Sequence, residues 1–298
     1  MARDAGAIQR RTLIVAHGDL DGIVSAVLVA RDWHDSWKEF GGQAETLVTF
    51  VQPFTLDKVE VEEVEAVFVV DIAVNNRNPQ QTLDFVERLG DKLYRWYDHH
   101  HGWEGLVDDD ERFIIDEEAL SCASILCEED NWTPLAADAT AADTRQGSLS
   151  KKADLIERAC KADLSDDSVR EAAFYWLLGD ENQRSVLESA AERYAAIQAE
   201  TERLSATYQV TGNVAVVDAR ESERNYDRTQ LLLAGQGLAP FAVVVSQNLR
   251  AGEDYLTIAT RRKDVSLVEV FGLPSGAPFR VSIPASRLDE ALGKLNSL

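Results

Sequence analysis

The sequence predicts an α/β protein with a parallel-sheet N-terminal domain, a helical connection and a smaller C-terminal α/β domain. The run at 66–70 is apolar at every position, and similar runs alternate with helical segments. Such runs indicate strands buried on both faces, as in parallel sheets. A length of 298 residues also exceeds what one core usually organises. We expect domains at 1–190 and 211–298, joined by a helical linker at 191–210.

Each element has its own signal in the sequence. Apolar runs predict early strands at 13–16, 47–51, 66–70, 93–97 and 112–115. Helices are expected at 22–30 and at 79–89, where proline stands in the first turn. Residues 119–208 are Ala-rich and are predicted to be helical, with one long helix over 188–208. Strands return at 214–217, 241–245 and 256–259, with helices at 227–235 and 285–295.

The chain is strongly acidic, with a formal net charge of −22 and eight lysines. This charge repels polyanions at long range, so long duplex DNA is an unfavourable passive ligand. A short phosphorylated substrate held by cations is compatible with it, because a local dication outweighs a distant field. The same composition is typical of a halophilic protein, and a basic partner is the alternative explanation.

No segment of the sequence suggests a membrane or an oxidising compartment. Apolar runs stay below 18 residues, and residues 1–11 lack the apolar core of a secretory signal. The three cysteines, Cys122, Cys127 and Cys160, form no CxxC pair and are expected to be core residues. We therefore expect a cytoplasmic protein. The sequence leaves the oligomeric state open, a homodimer included.

Histidine and aspartate are concentrated after three of the predicted strands. Four of the five histidines lie in two short clusters, each of which also contains aspartate. The carboxyl ends of parallel strands meet at one edge of a sheet, so these side chains should converge there. The residues concerned are His17, Asp19, Asp21, Asp71, Asp98, His99, His100 and His101.

A mixed set of carboxylates and imidazoles indicates a metal centre. Such ligands suit Mn²⁺ better than Mg²⁺, and the lack of thiolates argues against structural zinc. Two ions can clamp a phosphoryl group and activate water. Simpler interpretations exist for single residues, since Asp71 could cap a helix and adjacent histidines can be inert. An EF-hand is excluded because Leu28 stands where its loop needs glutamate.

Four segments resemble, in order, the motifs of the DHH phosphoesterase superfamily. They are His17-Gly-Asp19-Leu-Asp21-Gly22, Val69-Val-Asp71, Asp98-His99-His100 and Ala136-Ala-Asp-Ala-Thr-Ala-Ala-Asp143. The resemblance covers most of residues 11–180. It implies a DHH catalytic domain followed by a small substrate-binding domain of the DHHA1 type.

The resemblance also implies two Mn²⁺ ions, with Mg²⁺ as the alternative. The first ion would be held by His17, Asp19 and Asp71. The second would be held by Asp21, Asp71, His99 and Asp143, so that Asp71 bridges the pair.

Other residues of these motifs would act on the substrate or on the ligands. The resemblance implies that Asp98 orients a histidine or joins the metal ligands. His100 would contact the substrate phosphate or the leaving group. His101 has no fixed role in the family. Asp138 lies close enough in sequence to be the alternative to Asp143.

The C-terminal domain would supply the substrate contacts. Arg261 and Arg262 follow a predicted strand, where the family has a phosphate-binding arginine, and guanidinium can bind phosphate through two parallel hydrogen bonds. A surface basic pair is the simpler interpretation. The nuclease branches carry a glycine-rich segment with a histidine. Gly276 fits that segment as a substrate contact, but Ala277 stands in place of the histidine, which is a departure from the nuclease branches.

These features predict a Mn-dependent phosphohydrolase that uses metal-activated water on short single-stranded nucleic acids or small nucleotides. The form HxDxDG of the first motif is that of the nuclease branches. A pyrophosphatase or polyphosphatase of the same superfamily is the first alternative. A non-catalytic scaffold on this fold is the second, favoured weakly by Ala277 and opposed by the intact set of ligands.

Overall fold

A computed structural model of the chain describes residues 9–39, 43–75, 78–107, 110–127, 133–144, 146–162, 167–222, 225–247, 254–273 and 278–298. The chain forms two compact units, Met1–Ala191 and Glu192–Leu298. Each unit contains one five-stranded sheet. Within the described ranges, no helix is long and apolar enough to cross a bilayer.

The sheet of the N-terminal unit is parallel throughout, as predicted. Its strands are β1 (Gln9–His17), β2 (Gln43–Val51), β3 (Ala66–Val70), β4 (Leu93–Asp98) and β5 (Phe113–Ile115). They are arranged in the order β2-β1-β3-β4-β5, and every neighbouring pair runs in the same direction. The carboxyl ends of the strands therefore lie along one edge.

Helices cover both faces of this sheet. They are α1 (Leu20–Glu39), α2 (Pro79–Leu89), α3 (Cys122–Leu126), α4 (Pro134–Thr144), α5 (Lys151–Ala162) and α6 (Asp167–Leu177). Short 3-10 helices occupy Pro53–Lys58, Gly90–Lys92 and Glu181–Gln183. The last helix, α7 (Arg184–Ser205), begins in this unit and continues into the next.

Alternate residues of the inner strands belong to two different cores. In β1, Ile14 and Ala16 pack into one core with α1 and α3–α6, whereas Leu13 and Val15 pack into the other with α2. Successive side chains of a strand point to opposite faces, so a strand buried on both sides must be apolar at every position. This requirement explains the continuous apolar runs of the sequence.

Helix α1 is longer than the predicted range of 22–30. It begins at Leu20, so Asp21 lies in its first turn rather than in a loop. Leu20 itself is buried, with 2% exposure. Beyond residue 30 the helix stays attached to the sheet because the indole Nε1 of Trp33 donates to Thr12 Oγ1 at 2.9 Å. By contrast, α2 has the predicted bounds, with Pro79 in its first turn and Gly90 at φ 52° as its C-cap.

The C-terminal unit has a mixed sheet with helices on both faces. Its strands are β6 (Gln209–Thr211), β7 (Val214–Asp218), β8 (Phe241–Ser246), β9 (Tyr255–Thr260) and β10 (Arg280–Pro284), and its helices are α8 (Arg228–Gln236), α9 (Leu267–Phe271) and α10 (Leu288–Asn296). The order is β10-β9-β8-β7-β6, and only β7 and β8 pair in parallel among them.

The two edge strands of this sheet, β6 and β10, were not predicted from the sequence. All three residues of β6 are exposed, so no hydrophobic pattern marks it. In β10 two buried residues, Val281 and Ile283, alternate with more exposed ones and the strand ends at proline. Such short, half-buried strands have a weak signal compared with the buried runs of β8 and β9.

Candidate metal centre

The first cluster forms where β1 ends and α1 begins. His17 is the last residue of β1, and its Nδ1 lies 2.8 Å from Asp19 Oδ2. The other Asp19 oxygen, Oδ1, accepts the backbone N–H of Gly22 at 3.1 Å. A Cβ at position 22 would lie 2.3 Å from the carbonyl oxygen of His17. Glycine at this position therefore allows the loop to turn tightly enough to bring His17 and Asp19 together.

Asp71 follows β3 in an unusual backbone conformation. Its φ is 57°, and it is the sole non-glycine residue with positive φ in the described parts of the chain. Aspartate tolerates this region better than most residues, yet the conformation costs on the order of 1–3 kcal/mol. The backbone N–H of Asp71 donates to Tyr97 O at 2.9 Å, which fixes the turn against β4. The side chain is thereby held in a buried position, 3% exposed.

The second cluster begins at the end of β4. His99 Nε2 lies 3.4 Å from Asp71 Oδ1, 3.7 Å from Asp21 Oδ2 and 3.8 Å from Asp143 Oδ2. Among the described residues, Asp71 Oδ1 and His99 Nε2 are the buried side-chain polar atoms that have no hydrogen-bond partner. Buried polar atoms are rarely left in this state, so these two indicate a missing ligand between them.

Two groups of side chains satisfy the spacing of a metal site, and they share Asp71. His17, Asp19 and Asp71 form one group, and Asp71, His99 and His100 form the other. Ligand atoms within each group lie within 4.8 Å of one another. Asp71 belongs to both groups, as expected of a shared ligand. The second group contains His100, to which the resemblance gave a substrate contact, whereas Asp21 and Asp143 lie near His99 without belonging to the group.

Asp21 is held by a part of the chain that the sequence analysis did not connect with the site. Its Oδ2 accepts the backbone N–H of Cys122 at 2.7 Å, and its Oδ1 accepts that of Ala123 at 2.9 Å. These donors belong to the first turn of α3, and Ser121 caps that helix. Cys122 is a buried residue, as predicted, but its backbone also positions Asp21.

The pKa values of the cluster show how strongly its charges interact. Burial lowers the pKa of His99, but Asp71 and Asp21 outweigh it and raise the value to about 9. Burial is outweighed in the same way at His17, where Asp19 and Asp71 raise the pKa well above its ordinary value. At Asp21, burial and the neighbouring carboxylates raise the pKa. A divalent cation would replace the protons that otherwise balance these carboxylates.

Asp98 is completely buried and lies beside the cluster. Its Oδ1 is 2.8 Å from His100 Nδ1, and its Oδ2 accepts the indole N–H of Trp103 at 2.7 Å. Both oxygens therefore have partners, in contrast to Asp71, whose Oδ1 has none among the described residues. The next histidine, His101, is 81% exposed and its Nδ1 lies 2.7 Å from Glu117 Oε2. Neither Trp103 nor Glu117 stands out in the sequence.

Of the two aspartates in α4, Asp143 is the one near the cluster. Its side chain is 36% exposed, with Oδ2 at 3.8 Å from His99 Nε2. Asp138 is instead occupied at the start of α5, where it accepts the backbone N–H of Ser150 at 2.7 Å and the Ser150 hydroxyl at 2.6 Å. The structure thus engages both oxygens of Asp138 with Ser150 and leaves Asp143 as the candidate ligand.

Solved structures share this fold, although no protein-family model and no curated protein matches the sequence. A pGpG-specific phosphodiesterase, PggH from Vibrio cholerae, is 14% identical with a TM-score of 0.61, over 97% of this chain and 99% of that one. The DHH domain of a member of a ribosomal protein family is 13% identical with a TM-score of 0.53, over 97% and 86%. The chain has the DHH-superfamily fold.

A RecJ structure with Mn²⁺, from Thermus thermophilus, extends the comparison. It is 14% identical to this chain with a TM-score of 0.63, and 97% of this chain matches 52% of RecJ. The DHH-fold chain therefore spans about half the length of that protein. At this level of identity the likeness concerns the fold, so the site residues stand on their own geometry.

The substrate-binding residues predicted for this DHH-fold chain differ in their surroundings. Arg262 lies within hydrogen-bonding distance of Asp264 through Nε at 3.1 Å, and its Nη1 donates to Leu298 O at 2.8 Å. Arg261 is exposed. Gly276 and Ala277 lie outside the described residues. Of the two arginines, Arg261 therefore has the more accessible side chain.

Proposed function

We propose that this DHH-fold chain is a Mn²⁺-dependent phosphohydrolase that acts on short single-stranded nucleic acids or small nucleotides. Support for the metal comes from a single observation. Asp71 Oδ1 and His99 Nε2 are buried 3.4 Å apart and lack hydrogen-bond partners among the described residues. A cation between two overlapping His/Asp groups would satisfy both atoms and offset the crowded carboxylates.

The ligands that we assign are those implied by the resemblance, and each lies in or beside the two clustered groups. We assign the first ion to His17, Asp19 and Asp71, and the second to Asp21, Asp71, His99 and Asp143. His100 satisfies the spacing of a metal site through Nδ1. That atom is 2.8 Å from Asp98 Oδ1, so we give His100 a different role. The mixture of nitrogen and oxygen ligands favours Mn²⁺, with Mg²⁺ as the alternative.

The chemistry combines the ions with groups of the chain itself. When bound, the ions would neutralise phosphate charge and make water acidic enough to attack near neutral pH. Asp98 accepts from His100 Nδ1, so in the protonated ring the Nε2–H is the group that can donate to a substrate phosphate oxygen or to the leaving oxygen. Arg261 supplies a guanidinium for a phosphate oxygen. The RecJ structure that contains Mn²⁺ and the phosphodiesterase of matching length support this choice of metal and of substrate class.

Metal content and turnover test the proposal together. The protein is loaded with Mn²⁺, desalted and analysed for metal, and hydrolysis of bis-p-nitrophenyl phosphate is followed in Mn²⁺ at low and high salt. We expect about two ions per chain and turnover that EDTA abolishes. Asp218→Asn is the matched control, because this carboxylate at the end of β7 contacts Arg220 instead of the cluster. Absence of both bound metal and turnover would refute the enzyme and favour the scaffold.

A substrate panel then separates the branches of the superfamily. It contains pyrophosphate, polyphosphate, phosphoadenosine phosphate, a dinucleotide and single-stranded oligomers labelled at the 5′ end. We expect the highest kcat/KM on the nucleotide substrates. A preference for pyrophosphate or polyphosphate would replace this assignment with the pyrophosphatase or polyphosphatase alternative.

A further inference from the structure

The Asp98 carboxylate has no exposure to solvent and depends on two side chains for its hydrogen bonds. His100 Nδ1 lies 2.8 Å from Oδ1, and the Trp103 indole N–H donates to Oδ2 at 2.7 Å. A buried carboxylate without partners would be strongly destabilised, and each partner also limits how the group can rotate. Among the described residues, Trp103 therefore supplies one of the two side-chain hydrogen bonds to Asp98.

The orientation of Asp98 determines which ring nitrogen of His100 carries a proton. A carboxylate accepts hydrogen bonds, so the close contact at Nδ1 requires N–H on that atom. Nε2 is then the nitrogen that faces away from Asp98, and in the protonated ring it carries the N–H that can donate to a phosphate or leaving-group oxygen. The His100 side chain is 42% exposed, so this nitrogen belongs to a ring that solvent and ligands can reach.

Trp103 is built into the loop in a way that suits this contact. Gly102, directly before it, has φ 113°, a conformation that glycine adopts more readily than other residues. The Trp103 ring is 3% exposed and packs edge-on against Trp96 with centroids 5.1 Å apart. The indole is thus fixed by aromatic packing on one side, while its single polar atom faces Asp98.

We propose that Trp103 is a positioning residue for the reaction. Its indole N–H holds Asp98 in the orientation that keeps the Nδ1 proton on His100 and presents Nε2 to the substrate. The part of this inference that concerns substrate rests on the proposed function. The hydrogen-bonded chain from Trp103 through Asp98 to His100 is independent of it.

The test replaces Trp103 with phenylalanine, which retains an aromatic ring for packing and removes the N–H. We expect kcat to fall about ten-fold on the best substrate, as when an outer partner of an active-site group is lost, with KM little changed. Trp33→Phe is the matched control, since it also removes one indole hydrogen bond, at 2.9 Å to Thr12 Oγ1. The inference is overturned if Trp103→Phe and Trp33→Phe have the same kcat and the same KM as each other.

A double-mutant cycle distinguishes positioning from a general loss of stability. Asp98→Asn removes the charged acceptor, so Trp103→Phe should lower kcat far less in that background than in the wild type. An equal loss of kcat in both backgrounds would show that Trp103 does not act through Asp98.

NMR provides a readout that does not need an active enzyme. In the metal-free protein with ¹⁵N-labelled histidine, we expect the fraction of His100 protonated at Nδ1 to fall in Trp103→Phe and to stay constant in Trp33→Phe. An unchanged fraction in both variants refutes the inference. If no substrate is hydrolysed at all, the proposed function fails while this measurement still decides the role of Trp103.

Discussion

The two sheets differ in how charged side chains near their strand ends are satisfied. In the N-terminal unit, Asp71 Oδ1 and His99 Nε2 are buried without hydrogen-bond partners among the described residues. In the C-terminal unit, Asp218 ends β7 but accepts from Arg220 Nε at 2.9 Å. Proteins normally satisfy their buried polar atoms. Asp218 lies at the surface beside its arginine, whereas Asp71 Oδ1 and His99 Nε2 are buried 3.4 Å apart without a hydrogen bond from any described residue, as expected where a cation binds between them.

The largest effect expected from this difference is at Asp71. Asp71→Asn keeps a residue type that tolerates positive φ and removes the charge that both proposed ions share. We expect kcat to fall by at least about 1,000-fold, because the site loses its common ligand. Thermal unfolding of the metal-free variant checks that it is folded. Asp71→Ala should be equally inactive. Wild-type turnover in either variant would contradict the bridging role.

The next largest effect is stabilisation of the N-terminal unit by metal. Because ions bind the folded site, Mn²⁺ at 100 times its dissociation constant should raise the free energy of unfolding by about 2.7 kcal/mol. Calorimetry with and without EDTA measures this shift. The stabilisation should vanish in Asp71→Asn and persist in Asp218→Asn. A shift of equal size in both variants would place the ions elsewhere.

Substitution of Gly18 and Gly22 tests how rigid the chain is where β1 ends and α1 begins. A Cβ at position 18 would lie 2.5 Å from Nε of Arg170, the buried arginine that donates to Gly18 O at 2.8 Å. A Cβ at position 22 would meet the His17 backbone, which cannot move aside as a side chain can. We expect Gly18→Ala to cost about 1–3 kcal/mol and Gly22→Ala to cost more.

Urea unfolding of both glycine variants measures the loss of stability, and Mn²⁺ titration measures whether the altered loop still binds metal. In an Arg170→Ala background the additional cost of Gly18→Ala should shrink, because the clashing side chain is absent. A cost that stays the same in that background would mean that Arg170 does not restrict position 18.

The two adjacent arginines of the C-terminal unit should have different effects, Arg261 on substrate binding and Arg262 on stability. Arg262 contacts Asp264 and Leu298, so Arg262→Ala should lower the free energy of unfolding slightly, as for other surface ion pairs. Arg261 is exposed, and Arg261→Ala should leave stability unchanged while raising KM several-fold for a phosphorylated substrate. Denaturant unfolding and steady-state kinetics check both. If Arg262→Ala raises KM and Arg261→Ala lowers stability, Arg262 is the phosphate contact instead.

The smallest expected effect is at Glu200, a carboxylate that already has hydrogen-bond donors beside it. Hydrogen bonds from Arg203 and Ser222 lower the pKa of Glu200 to about 2. A lowered pKa in the folded state stabilises the protein above the ordinary glutamate value, and the contribution disappears as the pH falls towards 2. The wild type should exceed Glu200→Gln in stability by about 0.5 kcal/mol at pH 7, and the difference should shrink in acid. A difference that does not depend on pH would rule out the charge as its source.

The parallel sheet could be predicted because its strands obey a simple physical rule. A strand such as β3 is buried on both faces and must be apolar throughout, which distinguishes it from its neighbours in the sequence. Convergence of His17, Asp71 and His99 then follows from parallel topology alone. Their roles as ligands stay predictions, to be decided by the metal measurements.

The supporting contacts of the site could not be predicted in the same way. The backbone N–H groups that hold Asp21 lie about a hundred positions away in the sequence, and a backbone donor leaves no residue-type signal. In the sequence, Trp103 cannot be distinguished from any other aromatic residue of a core. In α4, both Asp138 and Asp143 fit the motif by spacing, and only packing shows that Ser150 occupies the first. Such choices depend on distances that a linear pattern does not contain.

The order of the strands has a consequence for the chain while it is being synthesised. β1 leaves the ribosome first but lies inside the sheet, between β2 and β3, and His99 and Asp143 emerge much later. A nascent chain that ends soon after His17, Asp19 and Asp21 therefore lacks the other three proposed ligands, Asp71, His99 and Asp143. If the ions bind as proposed, they would be acquired after most of the N-terminal unit has been translated, and metal uptake would report the completion of its folding.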